Sequence, residues 1–205
     1  MFPLGVVPKP RSRKLRLVLD MRLGNESMPD MPFRMESLTD LKFLARPGDL
    51  MLSLDLTQGY HHVTIHPLDR KYLGFHWNNQ FLCFNVLPFG LKPTPRIFTK
   101  VVTLLARSWR ADGIRVLVYL DDWLFLVRPE EITKVRARVL ADCKRAHFAL
   151  ILEKSSLSGV SCLTHLGIHV DLVANCFLVP EHKQVAPLKQ LSLTCYKKAA
   201  AQRAP

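Results

Sequence analysis

The feature that most constrains this chain is a twelve-residue apolar run, residues 116–127, with two adjacent carboxylates at its centre. Ten of the twelve residues are apolar or aromatic, and the two exceptions are Asp121 and Asp122. A run of this kind predicts two short buried strands joined by a tight turn. Asp-Asp is an unusual filler for such a turn, because two-residue hairpin turns favour Asn-Gly or Asp-Gly.

Two neighbouring carboxylates between apolar strands allow two interpretations. Their charges repel each other and lose hydration, and a bound cation would offset both effects. Divalent metals such as Mg²⁺ prefer carboxylate oxygens as ligands. The alternative is a solvated acidic turn that binds nothing, and Asp121 and Asp122 alone do not decide between the two interpretations.

The composition narrows the class of partner and the compartment. The chain has 205 residues and a formal net charge of +12, which favours a polyanionic partner such as nucleic acid. No apolar run reaches the roughly 18 residues that a spanning helix needs, so no membrane role is expected. The five cysteines are odd in number and widely spaced. This pattern favours reduced thiols in the cytoplasm or nucleus over a secreted disulfide scaffold.

The order of predicted elements indicates an α+β fold. A strand over residues 51–56 and aromatic-rich strands within 67–86 precede a helix with Thr94 as its N-cap, and a second helix follows Pro129. Strands near 149–153 and 162–172 come last. This order predicts an antiparallel sheet with helices on one face. The apolar face of the first long helix is predicted to contain Ile97, Phe98, Val101, Leu104, Leu105 and Trp109.

A third acid, Asp55, stands at the end of the predicted strand 51–56. If that strand and the hairpin at 116–127 share one sheet, three carboxylates converge. Such a cluster suits two Mg²⁺ ions held about 3.5–4 Å apart, the arrangement used in nucleotidyl transfer. The basic remainder of the chain would then hold a nucleic acid and a triphosphate.

Several short motifs occur here in the order and spacing of reverse transcriptases. They are Leu-Asp-Leu-Thr-Gln-Gly-Tyr at 54–60, Leu-Pro-Phe-Gly-Leu at 87–91 with Pro95 and Phe98, Tyr-Leu-Asp-Asp at 119–122, Leu-Glu-Lys at 152–154 and His-Leu-Gly at 165–167. Upstream, residues 16–22 resemble a fingers strand, although Leu23-Gly24-Asn25 departs from the usual Leu-Asn ending. The resemblance runs from about Val7 to Asp171. Within the family the chain looks most like retrotransposon enzymes, of the DIRS type or the LTR type.

The resemblance implies a polymerase palm with partial fingers. Fingers would occupy 1–48 and 67–86, the palm 49–66 and 87–180, and the start of a thumb or a tail 181–205. The implied function is RNA-directed DNA polymerase activity, in which a primer 3′-OH attacks a dNTP on an RNA or DNA template. The implied cofactors are two Mg²⁺ ions, with Mn²⁺ as an alternative.

The resemblance also assigns roles at the acidic cluster. Asp55 and Asp121 would bridge the two metal ions, and the Leu56 carbonyl would assist them. Asp122 would be a looser ligand. Lys154 would be the general acid for the departing pyrophosphate.

On the nucleotide side, the resemblance assigns four further residues. Tyr60 would lie under the incoming sugar and block a 2′-hydroxyl. Arg16 and Lys9 would hold the triphosphate, Arg16 through its fork of donors. Gly90 would let the backbone approach nucleotide and template closely.

Two other readings of the sequence stay open. The chain could be a catalytically inactive retroelement remnant that only binds nucleic acid. It could also be another palm polymerase, such as a viral RNA-copying enzyme, although those enzymes commonly have Gly-Asp-Asp and lack a bulky ring at the position of Tyr60. In either case we expect the chain to be part of a longer polyprotein or a truncated genomic copy.

Overall fold

The structure, a computed structural model, describes residues 1–8 and 15–179, and it begins with an antiparallel hairpin. Two short helices follow, and a strand then enters the centre of the molecule. These elements are β1 (Leu4–Pro8), β2 (Leu15–Leu19), α1 (Arg22–Glu26), α2 (Leu38–Leu44) and β3 (Leu50–Asp55).

The middle of the chain forms a second hairpin, a long helix and a third hairpin. Short 3₁₀ helices at Gly59–His62 and Pro67–Leu73 connect β3 to this region. The elements are β4 (Gly74–Trp77), β5 (Gln80–Cys83), α3 (Thr94–Ala111), β6 (Arg115–Tyr119) and β7 (Asp122–Val127).

The last part contains one more helix and four strands. A 3₁₀ turn at Pro129–Glu131 leads into the helix, and another at Leu152–Lys154 follows it. The elements are α4 (Ile132–Arg145), β8 (Ser156–Val160), β9 (Cys162–His165), β10 (Ile168–Asp171) and β11 (Cys176–Leu178).

A four-stranded antiparallel sheet in the order β6-β7-β3-β8 is the centre of the fold. The β3–β7 ladder runs without a slip from the Leu50–Val127 pair to the Asp55–Asp122 pair. The smaller sheets are the hairpins β1-β2 and β4-β5 and the three-stranded sheet β11-β10-β9. The ladder register therefore brings the acidic ends of β3 and β7 side by side.

The central sheet is covered on both faces. One face buries Leu52, Leu54 and Phe125 against α3 and α4. The other face buries Met51 and Leu124, which share a cluster with residues of α2 and β10. The α+β class is confirmed, with both long helices on one face as expected, while α2 and the smaller sheet cover the opposite face.

Three local predictions were wrong. The helix α3 begins at Thr94 with Pro93 as its N-cap, because the Thr94 hydroxyl donates to the Pro88 carbonyl instead of capping. Its buried face is rotated, so that Val102 is buried while Leu104 is 65% exposed. The strand expected at 149–153 is replaced by the 3₁₀ turn at Leu152–Lys154, and the strand itself forms later as β8.

The palm, fingers and thumb boundaries stay predictions, and the expected thumb or tail at 181–205 lies outside the described residues. Within residues 1–8 and 15–179, no helix has both the length and the apolarity to cross a membrane.

Candidate active site

Three carboxylates meet where β3 and β7 lie side by side. Asp55 ends β3 and stands directly opposite Asp122, the first residue of β7. Asp121 precedes it in the turn, and its carbonyl accepts a hydrogen bond from the Leu56 N–H at 3.1 Å. The expected convergence at one end of a single antiparallel sheet is therefore present in the structure, although 66 positions separate Asp55 from Asp121.

The turn that presents these acids is Leu120-Asp121 rather than Asp121-Asp122. Tyr119 pairs with Asp122 across the hairpin, and Leu120 adopts a left-handed φ of 51°. A left-handed residue other than glycine costs about 1–2 kcal/mol. The fully buried Trp123 helps to hold this turn, because its indole N–H donates to the Leu120 carbonyl at 2.8 Å.

The acids form a concentration of negative charge. Burial, together with the neighbouring charges of Asp121 and Asp55, raises the pKa of Asp122 to about 6. Lys154 acts against them, with its Nζ 3.8 Å from an Asp55 carboxylate oxygen. The site therefore carries mutual repulsion that a bound cation would relieve.

The donor chemistry suits a hard divalent ion, because carboxylate oxygens are the ligands that Mg²⁺ prefers. The carboxylates of this site do not form a complete coordination shell in this structure. In residues 1–8 and 15–179, no group of three or more His, Cys, Asp or Glu side chains is placed to hold a metal ion. Metal binding by Asp55, Leu56, Asp121 and Asp122 accordingly stays a prediction.

A cavity of about 220 Å³ opens beside the acids. His165 lines it and is 5% exposed, and its Nε2 has no hydrogen-bond partner among the described residues. Burial lowers the pKa of His165 to about 4, so the ring is neutral at physiological pH. His165 belongs to the His-Leu-Gly motif, but no role is predicted for it from the sequence. The cavity is lined by Ser53, Leu54, Asp55, Asp122, Lys154, Thr164, His165 and Leu166.

Tyr60 lies on the other side of the turn. Its ring packs against Phe89 and Phe98, with centroid separations of 4.8 and 5.4 Å. Burial raises the pKa of its hydroxyl, and the charge of Asp121 raises it further. A methyl group added at Gly59 would lie 3.1 Å from the Asp121 Cβ, so the backbone passes close under the acid here.

The predicted triphosphate and backbone residues lie around the same loop. The Arg16 guanidinium sits 4.4 Å above the Phe89 ring, and its Nε is buried without a hydrogen-bond partner in the described part of the chain. Gly90 has φ +102°, and a Cβ there would stand only 1.9 Å from the Leu19 carbonyl oxygen. Only glycine fits this position without moving the backbone. Lys9 lies outside the described residues.

Asn25 is a site-supporting residue that the sequence analysis did not identify. Its side-chain amide donates to the Gly90 carbonyl at 2.8 Å and accepts from the Lys92 N–H at 2.8 Å. These two bonds hold the loop on both sides of Leu91. The only available signal was the departure of Leu23-Gly24-Asn25 from the expected motif.

Most of the chain matches one known protein family. Residues 7–170 match the protein family described as Reverse transcriptase (RNA-dependent DNA polymerase). The chain belongs to the reverse transcriptase family. The resemblance found in the sequence is thereby confirmed.

Relatives of this reverse transcriptase domain are much longer proteins. The retrovirus-related Pol polyprotein from transposon 412 of Drosophila melanogaster is 28% identical over 160 residues, covering 75% of this chain and 13% of that protein. The Pro-Pol polyprotein of feline foamy virus is 30% identical over 171 residues, covering 82% of this chain and 14% of that protein. The chain thus spans about one seventh of the length of these relatives.

Solved structures share the fold. The foamy viral protease-reverse transcriptase in complex with double-stranded DNA superposes with a TM-score of 0.77 at 26% identity, covering 88% of this chain and 31% of that chain. The foamy viral enzyme in complex with an RNA/DNA hybrid gives a TM-score of 0.74 at 23% identity, covering 88% of this reverse transcriptase domain and 24% of that chain. The mixed helix and antiparallel sheet architecture is that of a polymerase.

Proposed function

We propose that this domain is an RNA-directed DNA polymerase that extends a primer 3′-OH with deoxynucleotides. The reaction would be in-line attack of the 3′-oxygen on the α-phosphate of a dNTP, with release of pyrophosphate. The single observation that carries this proposal is the placement of Asp55 directly opposite Asp122, beside Asp121 in the turn. Three neighbouring carboxylates would repel a phosphate on their own. They can take part in phosphoryl transfer when they bind divalent cations.

Asp55 and Asp121 would be the main metal ligands, with the Leu56 carbonyl and Asp122 in supporting positions. The raised pKa of Asp122 supports this role, because it results from burial of the carboxylate and from repulsion by Asp121 and Asp55, and a bound cation would offset both. Two Mg²⁺ ions, or Mn²⁺ in their place, would supply a clamp on the attacking and leaving oxygens. The acids would contribute by fixing where the reacting phosphate can sit.

The nucleotide would enter on the side of Tyr60 and Gly90. The Arg16 guanidinium, over the Phe89 ring, would donate to the triphosphate, and Lys9 would add a second cation. The Tyr60 ring, held between Phe89 and Phe98, would exclude a 2′-hydroxyl by its rigid volume.

Lys154 would donate the proton that the leaving pyrophosphate takes up. Its ammonium lies 3.8 Å from the Asp55 carboxylate, and its side chain is 66% exposed. An ammonium at the edge of an acidic site is positioned to reach an incoming phosphate. The same charge would also offset part of the repulsion that Asp122 experiences.

The natural substrates would be dNTPs and a primed RNA or DNA template. The net charge of +12 supports a polyanionic partner. The related foamy viral enzyme has been solved with double-stranded DNA and with an RNA/DNA hybrid. We further propose that the domain works within a longer polyprotein, since its relatives are polyproteins. The odd number and wide spacing of the cysteines support a location in the cytoplasm or nucleus.

Primer extension tests the proposal. Wild-type protein should extend an oligonucleotide primer on RNA and DNA templates with Mg²⁺ or Mn²⁺ and dNTPs. Asp121→Asn should abolish extension, because an amide is a poor substitute for a bridging carboxylate. The same change should leave duplex binding unchanged or slightly tighter, since it removes a negative charge near the phosphates. A wild type that binds primed template and never extends it, also in a longer polyprotein segment, would identify an inactive remnant.

Sugar selection tests the role of Tyr60 separately. Tyr60→Ala should admit ribonucleotides, because the excluding volume disappears while every acid remains. Steady-state incorporation of dNTPs and NTPs measures the change. An unchanged preference for deoxynucleotides in a folded variant would make Tyr60 a core residue only.

A further inference from the structure

The β4–β5 hairpin carries a set of aromatic rings that the proposed active site does not use. Every residue from His76 to Cys83 is exposed. Trp77 is 58% exposed and Phe81 57% exposed, which is unusual for side chains of this size. Tyr72, on the 3₁₀ helix just before the hairpin, is 63% exposed.

The strand register places these rings on both faces of the hairpin. His76 pairs with Phe81, and their rings lie edge to face with centroids 6.0 Å apart. Trp77 pairs with Gln80, so its ring projects from the opposite face. The hairpin therefore presents a flat ring to solvent on either side.

The base of the hairpin is firmly attached to the rest of the domain. Phe75 and Phe84 stack with centroids 5.2 Å apart and pack on the same cluster that includes Leu73 and Tyr60. The Phe84 N–H also donates to the Leu73 carbonyl at 3.1 Å. The base of the hairpin is thus fixed by packing on the same cluster as Tyr60, which lies beside the candidate active site.

The charge around the hairpin favours an anionic partner. Arg70 and Lys71 directly precede the hairpin, next to a single acid, Asp69, and the whole chain has a formal net charge of +12. Lys71 lies 5.1 Å above the Tyr72 ring, which places a cation beside an exposed aromatic face. Exposed aromatic rings can stack on bases, and neighbouring cations can contact phosphates. Unpaired nucleic acid offers both free base faces and phosphates.

We propose that the β4–β5 hairpin and the preceding 3₁₀ helix bind single-stranded nucleic acid, with unpaired bases stacked on Trp77, Phe81 and Tyr72. A duplex offers no free base faces, so this surface would prefer an unpaired strand. Arg70 and Lys71 would contact the phosphates without sequence preference. This binding requires no metal ion and no catalysis. A measurement of single-strand binding therefore tests this surface separately from the proposed polymerase activity.

Tryptophan fluorescence gives a site-specific readout. The chain has three tryptophans, of which Trp109 and Trp123 are fully buried, so Trp77 alone can contact a ligand. The full chain, kept in EDTA, would be titrated with single-stranded oligo(dT), with oligo(U) and with a blunt duplex of equal length. Single strands should quench the emission and the duplex should not. Equal quenching by the duplex, or none by either strand, would overturn the proposal.

Matched alanine variants locate the binding. Phe81→Ala and Tyr72→Ala should each weaken single-strand affinity by roughly fivefold or more, by fluorescence anisotropy, and leave duplex affinity unchanged. Phe43→Ala is the control, because that ring is 78% exposed and also carries a cation, with Lys42 4.8 Å above it. Equal losses in all three variants would contradict a specific surface. Self-association of the wild type that Phe81→Ala removes would show instead that the rings meet a second copy.

Discussion

The two hairpins β4–β5 and β6–β7 have equally short turns and opposite surroundings. Each turn has two residues, and the left-handed φ angles are 48° and 58° at Asn78 and Asn79 in the first and 51° at Leu120 in the second. The β7 strand is buried throughout after its first residue, whereas β5 is exposed at every position. A hairpin with a two-residue turn is therefore a core element in one place and a surface element in the other.

The difference shows that packing partners, and not the turn, decide what a hairpin can do. The β6–β7 hairpin pairs with β3 in the central sheet and packs against α3 and α4, so its acids have fixed positions and repel one another. The β4–β5 hairpin is anchored only at its base, which leaves its rings free to meet a ligand. Buried apolar strands suit a site that needs precise placement, and exposed strands suit one that tolerates many ligands.

The largest expected difference between the hairpins is in stability. Trp123→Ala should lower the free energy of unfolding by about 3–5 kcal/mol, because it removes a fully buried ring that packs on Trp109 and Phe148. Trp77→Ala should change it by no more than about 0.5 kcal/mol, because that ring is mostly in solvent. Urea denaturation followed by circular dichroism measures both values.

The two variants are each other's control, since both delete an indole from a hairpin strand. Comparable losses at Trp77 and Trp123 would mean that the β4–β5 rings are buried in the folded protein in solution. That result would remove the contrast on which the single-strand surface depends.

A smaller effect with a definite pH dependence is expected at Asp122. A pKa raised from 3.8 to about 6 means that folding disfavours the ionised carboxylate. Stability is therefore lost as pH rises from about 4 through 6, and the full cost applies above that range. Asp122→Asn should raise the free energy of unfolding by about 1–3 kcal/mol at pH 7.5 and by almost nothing near pH 4.

Thermal unfolding without divalent ions at both pH values measures this gain. Asp69→Asn is the matched variant on the surface side, and it should give no gain at either pH because Asp69 is exposed. If Asp122→Asn raised the free energy of unfolding equally at pH 4 and pH 7.5, the cause would be packing and not charge. A loss at pH 7.5 would show that the Asp122 carboxylate is stabilised in the fold.

The smallest expected effect is in the exposed turn. Asn79 has φ 58°, a conformation that glycine adopts without steric cost, and Asn-Gly is the favoured sequence for such hairpins. Asn79→Gly should raise stability by about 0.5 kcal/mol or less, measured by urea denaturation. Asn78→Gly in the same turn is the comparison, since glycine is less favoured at the first turn position. A loss of more than about 1 kcal/mol at Asn79 would indicate contacts of its side chain that hold the hairpin.

The sequence predicted the acidic centre well because its signals are strong and local. An apolar run interrupted by two acids has few buried solutions, and the strand ending in Asp55 has the same pattern. Their pairing across 66 positions followed from the assumption of one sheet, which the β3–β7 ladder bears out.

Features that depend on distant contacts were missed or misplaced. The orientation of α3 was wrong by part of a turn, because both of its faces carry apolar residues and only tertiary packing selects Val102 over Leu104. The role of Asn25 depends on hydrogen bonds to residues 65 and 67 positions away. The lack of a hydrogen-bond partner for His165 Nε2 within residues 1–8 and 15–179 likewise results from burial that no local pattern encodes.

The central place of β3 has a consequence for how the protein is made. This strand is synthesised early, yet both of its neighbours, β7 and β8, come much later in the chain. At translation speeds of about 5–20 residues per second, the 67 residues from Leu56 to Asp122 correspond to roughly 3–13 s. During that interval an apolar strand has two unpaired edges, which are sites for aggregation. The strand that carries the first acid therefore stays open to pairing with other chains until β7 and β8 have been made.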